Sequence, residues 1–382
     1  MEALSLWTVN YRGIVAVVTG AGKTIFALYC MVAARNHWPR CRFLIVVPTI
    51  VLADQWRVTL SRELRLTERE VTVLAGGTNP NLDATVVVAV VNSVRDRVKH
   101  LTSEGDWCLI VDECHRVASE RNRQVLSGRY TATLGLSATP EREHDNWFEQ
   151  YVVPGLGPVI YRYGYEDAKR DGIISDFDLW NIKVPLTRAE EERIERINRA
   201  IAMEAERGGS ESERMKRLLI RRSQLSQAAH SRLSTTIALV EQLRGRRGII
   251  FHESIDAAAK IAEVLSKKSH RVRLYHSGLS PIARYESLRL YNLGQVDVLV
   301  TCRALDEGFD VPDTEYGILA ASTTSTRQRI QRLGRVLRPS TKKERALVVT
   351  LYALPSEARL LREEQNRLHG VASTRWFETS RL

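Results

Sequence analysis

Short apolar runs alternate with amphipathic stretches through the first half of the chain. Residues 14–18, 43–47, 86–91, 108–111 and 133–136 are rich in valine, isoleucine and leucine and lack the one-in-two polar alternation of a half-exposed strand. Such runs predict strands covered on both faces. Segments between them, among them 24–34 and 51–64, space their apolar residues as a helix does. This alternation predicts a parallel sheet with crossover helices. A second set begins at 248–251 and continues with 272–275, 296–300, 316–320 and 346–351, with helical spacing at 257–265 and 281–291. The pattern therefore predicts two α/β units.

Between the two sets the texture changes. Residues 188–247 hold 14 Lys and Arg against 9 Asp and Glu, a net of +5 (14 − 9), with Ile194, Ile197 and Ile201 at helical spacing. Gly208-Gly209-Ser210 interrupts the pattern, and a second helix is predicted from Glu213 to about Ala229. Two readings of this segment stand. It is a solvated helical linker that joins the units, or a helical protrusion that touches nucleic acid.

Composition narrows the class. The 382 residues exceed one small domain and suit two. A hydrophobic fraction of 44% supports a sizeable core and excludes a wholly disordered basic chain. The net charge of +11 (56 − 45) suggests a polyanionic partner, although many basic proteins of this length have only solvated faces. No apolar run approaches the roughly eighteen residues of a membrane span, and no charged-then-apolar leader opens the chain. Membrane insertion and secretion are not expected, and the expected location is cytoplasmic. Five cysteines, at 30, 41, 108, 114 and 302, include no Cys-x-x-Cys pair, so ordinary reduced thiols are expected and a metal cluster is not.

Two constellations carry chemistry. Thr19-Gly20-Ala21-Gly22-Lys23-Thr24 follows a predicted strand and opens a predicted helix. Glycines let backbone N–H groups converge on phosphate, and a helix N-terminus adds its dipole. Lys23 would reach the terminal phosphates, and Thr24 would offer its hydroxyl to Mg2+. The full Walker pattern has glycine where this chain has Val17. The second constellation, Leu109-Ile110-Val111-Asp112-Glu113-Cys114-His115, sets two carboxylates at the end of an apolar run. In a parallel sheet both loops open at the carboxyl edge, so Asp112 can meet phosphates held by the Lys23 loop. Asp112 suits Mg2+ coordination in an outer role, and Glu113 suits positioning and deprotonating an attacking water. Asp-Glu after a strand is also a common helix N-cap; the phosphate-type loop upstream favours the catalytic reading.

Further segments follow in order. They are Val46-Val47-Pro48-Thr49 with Leu52 and Gln55-Trp56, then Leu136-Ser137-Ala138-Thr139-Pro140, then Asp306-Glu307-Gly308-Phe309-Asp310-Val311-Pro312. Gln331-Arg332-Leu333-Gly334-Arg335-Val336-Leu337-Arg338 completes the series. With the two constellations above, they resemble motifs Ia, III, V and VI beside motifs I and II of superfamily 2 helicases and translocases of the DEAH-like kind. The resemblance covers nearly the whole chain, and its texture is closest to XPB-like repair helicases, RadD-like proteins and restriction-enzyme motors. It implies an α/β fold of two RecA-like parallel-sheet domains joined by a helical linker or insertion. The implied division is 1–180 for the first domain, 181–245 for the helical segment, 246–355 for the second domain and 356–382 for a C-terminal tail.

The resemblance also assigns roles. ATP and Mg2+ would be the cofactors, with Thr19, Gly20, Ala21, Gly22, Lys23, Thr24, Asp310, Gln331 and Arg332 on the nucleotide and Thr24 and Asp112 on the metal. Lys23, Glu113, Arg335 and Arg338 would carry catalysis, the two arginines as fingers worth about 10³–10⁵ in rate in other phosphoryl-transfer enzymes. They stand three apart in a window, 323–345, that holds eight Lys and Arg and one acid, net +7 (8 − 1). Ser137 and Thr139 would couple hydrolysis to domain movement. Thr49 and Thr301 would touch the nucleic-acid backbone, a contact that ignores base sequence as a motor requires. Relatives mostly act on DNA, which favours DNA over RNA.

A glutamine that reads adenine precedes motif I in relatives. Glu2-Ala3-Leu4 resembles the helix that follows it, so either the sequence starts just past that segment or direct adenine reading is lost; the second alternative carries the expectation of weakened discrimination of ATP from GTP. The tail carries no nuclease motif, so a nuclease or methyltransferase would be a partner protein. Two other readings stay open. One is a motor subunit of a restriction or antiviral-defence complex that translocates without unwinding. The other is a non-hydrolysing, nucleotide-gated module that binds nucleic acid.

Overall fold

The computed structural model describes residues 2–76, 81, 83–138, 146–207, 212–302, 313–321 and 345–379. They divide into two compact units, Met1–Ala168 and Lys169–Leu382. The strands of the first are β1 (Arg12–Val17), β2 (Arg42–Val47), β3 (Val71–Leu74), β4 (Val86–Val90), β5 (Trp107–Asp112), β6 (Ala132–Ser137) and β7 (Val159–Tyr163). They form one sheet in the order β3-β4-β2-β5-β6-β1-β7, and every pairing is parallel.

Both faces of this sheet are covered, which is why its central strands read as unbroken apolar runs. Along β2, Phe43, Ile45 and Val47 join one core, whereas Leu44 and Val46 join another. The first core is roofed by helices α1 (Glu2–Asn10), α2 (Lys23–His37) and α3 (Ile50–Leu64), which contribute Trp7, Leu28 and Trp56. The second contains Trp107, Phe148 and Leu156. The edge strands β3 and β7 are only partly buried and carry Thr72 and Arg162 among their apolar residues. Neither follows from the apolar-run pattern.

The second unit holds another seven-stranded parallel sheet, β10-β11-β9-β12-β13-β8-β14. Its strands are β8 (Asp176–Lys183), β9 (Gly248–His252), β10 (Val272–His276), β11 (Val298–Cys302), β12 (Tyr316–Leu319), β13 (Arg345–Tyr352) and β14 (Ser373–Glu378). Two of these differ from the sequence pattern. The expected boundary at 180 falls inside β8, and the expected tail contains the helix Pro355–Arg367 and strand β14, which pairs with β8. Burial alternates along both strands, so neither presents an apolar run.

The segment between the two predicted strand sets forms α4 (Arg188–Glu206), α5 (Glu213–Gln227) and α6 (His230–Gln242). A reciprocal cap starts α4: Thr187 Oγ1 accepts from Glu190 N at 3.3 Å, and Glu190 Oε2 accepts from Thr187 N at 2.8 Å. The helices α4 and α5 pack on each other. By contrast α6 is part of the core, through Ile237, Leu239 and Val240. All five cysteines are free and buried. Burial, reinforced by Asp106, pushes the Cys41 thiol up to about 11, consistent with an ordinary protonated thiol. Among the described residues, no helix is long and apolar enough to cross a membrane.

Candidate active site

Because all seven strands of the first sheet run parallel, their carboxyl ends lie along one edge, where ligands of open α/β sheets bind. One strand, β6, separates β1 from β5. Its register pairs Leu136 with Asp112 and Ser137 with Ala16. The loop after β1, the acidic pair after β5 and Ser137 at the end of β6 therefore stand at one level.

The loop is shaped for an anion. Gly20 and Gly22 adopt φ of 93° and 85°, a region that favours glycine. A Cβ added at Gly22 would meet nothing within 4 Å, so the concavity there is open. The helix α2 starts at Lys23 with no side-chain cap on Gly22 and no acidic residue in its first turn. Its leading N–H groups and dipole are left for an external anion. Among the described residues the Thr19 hydroxyl is buried without a hydrogen-bond partner. Thr24 is the second residue of the helix. These features fit a nucleotide polyphosphate.

Lys23 links this loop to the acidic pair. Its ammonium donates to Val17 O at 3.3 Å and lies 3.9 Å from Glu113 Oε1. With three N–H directions, it can also serve phosphate oxygens. Asp112 is buried at the end of β5. Its Oδ1 accepts from the Glu113 backbone N–H at 3.0 Å, and its Oδ2 from Trp56 Nε1 at 3.0 Å. Glu113 itself adopts the left-handed conformation, φ 51°, which costs a non-glycine residue about 1–3 kcal/mol and gathers at functional sites. The donor set of a buried carboxylate beside the Thr24 helix fits a hard divalent cation with retained waters.

The pair is also joined to Ser137. His115 Nδ1 lies 3.2 Å from Ser137 Oγ and 3.5 Å from Glu113 Oε2. His115 and Ser137 are both buried. A chain of polar contacts thus runs Lys23–Glu113–His115–Ser137. The sequence gives no role to His115 or Trp56. Both stand inside quoted motifs, but their partners become visible only once β5 is known to lie between β2 and β6.

The remaining expected residues divide. Thr49 is the N-cap of α3, its hydroxyl oxygen accepting from Leu52 N at 3.4 Å. Thr301 lies within β11 and is fully buried, so its hydroxyl does not reach the surface. Thr139, Asp310, Gln331, Arg332, Arg335 and Arg338 fall outside the described residues.

Comparison with known proteins agrees with this geometry. Residues 2–142 match the family model of the Type III restriction enzyme res subunit, and residues 231–340 match the helicase conserved C-terminal domain. The class is that of ATP-hydrolysing nucleic-acid motors. The chain is 28% identical over 363 residues to the DNA 3'-5' translocase XPB2 of Sulfurisphaera tokodaii, covering 89% of this chain and 78% of that one. It is 27% identical over 348 residues to the DNA 3'-5' helicase XPB of Kineococcus radiotolerans, covering 88% of this chain and 56% of that one. In fold it is similar to S. cerevisiae Dbp5 bound to RNA and ADP BeF3, at 14% identity and a TM-score of 0.67, over 98% and 88% of the two chains. The two sheets are RecA-like domains. The chain belongs to superfamily 2 of the helicases and translocases, with affinities to its XPB-like and restriction-motor branches.

Proposed function

We propose that this chain hydrolyses Mg2+-bound ATP to drive its own movement along DNA. The observation that carries the reading is the meeting of Lys23, Asp112, Glu113 and the His115–Ser137 pair at one edge of the first sheet. DNA is favoured because the XPB-type relatives are named for action on it. Bound Mg2+ would supply charge stabilisation at the phosphoryl oxygens, with Thr24 and Asp112 holding it.

In this reading each residue has one task. The N–H groups around Gly22 and the Lys23 ammonium hold phosphate oxygens and balance their charge. Glu113 orients the attacking water and takes its proton, and it is held for that by Lys23 on one oxygen and His115 on the other. Ser137, bonded to His115, sits where a change at Glu113 is felt on the next strand. Arg335 and Arg338 enter as arginine fingers, and Asp310, Gln331 and Arg332 as nucleotide contacts, on the sequence motifs. Thr49 remains a candidate backbone contact at the N-terminus of α3, and α5 offers the exposed Arg217 and Arg221 as phosphate contacts.

A second reading rests on the match of residues 2–142 to a restriction-enzyme subunit. There the same motor serves a nuclease or methyltransferase partner and moves without separating strands. Phosphate release in the presence of single-stranded DNA, duplex DNA, RNA or no polymer tests the substrate. Hydrolysis should rise more with DNA than with RNA. Stimulation by RNA alone would refute the DNA assignment, and no release under any condition would leave only a nucleotide-gated binding module.

A further inference from the structure

We propose that Trp56 is a positioning residue for the divalent cation, its indole N–H fixing the Asp112 carboxylate in the orientation a metal ligand requires. The inference rests on the metal-holding role given above to Asp112. Trp56 lies on α3 and is 1% exposed, and its Nε1 donates to Asp112 Oδ2 at 3.0 Å. The other oxygen, Oδ1, accepts from Glu113 N at 3.0 Å. With one donor on each oxygen, the carboxylate cannot turn about its Cβ–Cγ bond without breaking a bond. A carboxylate has about four lone-pair sites, so two stay available for a cation or for the waters it retains.

The donor is itself held by the fold. The strand β2, which leads into α3, pairs with β5 so that Val46 stands opposite Val111. Thr49 caps the helix, and Ala53, Trp56 and Leu60 anchor it in the core. Phenylalanine would fill much of the same apolar space. What tryptophan adds at this position is the N–H, and its acceptor is the proposed metal ligand. Partners that orient a ligand in this way typically change metal affinity about 10–100-fold when removed.

The test is a Mg2+ titration of the full chain with a fluorescent ATP analogue, read at equilibrium without turnover. Trp56→Phe should raise the apparent Mg2+ dissociation constant about 10–100-fold and leave nucleotide affinity in EDTA unchanged. In an Asp112→Asn background the same substitution should add nothing. An equal loss in that background would show a packing role and overturn the proposal. Benzothienylalanine at position 56 replaces the N–H by sulfur and keeps the ring shape, so it separates the bond from folding. An unchanged Mg2+ constant for that variant, with Asp112→Asn defective, overturns the proposal alone. An unchanged constant for Asp112→Asn overturns the role of Asp112 and the proposal with it.

Discussion

Glu113→Gln should slow ATP hydrolysis by about 10²–10⁴-fold, the range typical of a removed general base, while nucleotide binding is retained. The substitution keeps the size of the side chain and removes its ability to accept a proton. Glutamine can still place an oxygen near Lys23, which lies 3.9 Å from Glu113 Oε1, so the phosphate loop should be preserved. The contact with His115 Nδ1, at 3.5 Å, changes character, because a neutral amide replaces the carboxylate there. Phosphate release and equilibrium binding of a fluorescent nucleotide, measured on the same preparation, separate the two effects. Hydrolysis at the wild-type rate would refute the catalytic assignment. Loss of binding together with hydrolysis would instead mean that Glu113 holds the loop's shape.

The second large effect concerns stability. Arg232 is buried at the start of α6 and reaches several elements of the second unit. Its Nη1 donates to the carbonyls of Ala320 at 3.0 Å and Leu351 at 2.7 Å, and its Nε to Ser226 O at 2.7 Å. Its Nη2 pairs with Glu357 Oε1 at 2.8 Å, while Glu357 Oε2 also accepts from Ala353 N and Leu354 N, both at 2.9 Å. Removing the guanidinium leaves a largely buried carboxylate and three carbonyls without this donor. Arg232→Ala should therefore destabilise the second unit by about 3–5 kcal/mol, the usual result of breaking a buried ion pair on one side. Lysine should recover little, because one ammonium cannot reproduce the planar fork. Urea unfolding gives the magnitude, and amide exchange in β12 and β13 locates it. A shift of the midpoint within error, with exchange unchanged, would contradict this account of the network.

The same residues show what could be read in the sequence. The central strands were legible because both faces are covered: Phe43 to Val47 are all buried, and local apolarity alone marks them. The Ser373–Glu378 strand has no such mark. Its partner is β8, whose pairing connects Ser373 to Asp178, and half-burial gives it a mixed composition. The phosphate loop and acidic pair were legible for the opposite reason, as each is contiguous and its chemistry is carried by residue type. Their partners were not. Trp56 meets Asp112, and His115 meets Ser137, only through the order of three strands. The helical segment divides in the same way: α4 and α5 follow from isoleucine spacing and charge, whereas the role of α6 in the core depends on Ile237 and Val240 finding the second sheet.

Movement along DNA is the central claim, and triplex displacement measures it most directly. A third strand bound to a duplex is released when a motor passes, whether or not the duplex strands separate. With ATP and Mg2+, the chain should displace the third strand after a lag that lengthens with the distance between entry site and triplex. A non-hydrolysable ATP analogue, or the Glu113→Gln variant, should give no displacement. DNA-stimulated hydrolysis without displacement at any distance would contradict the account.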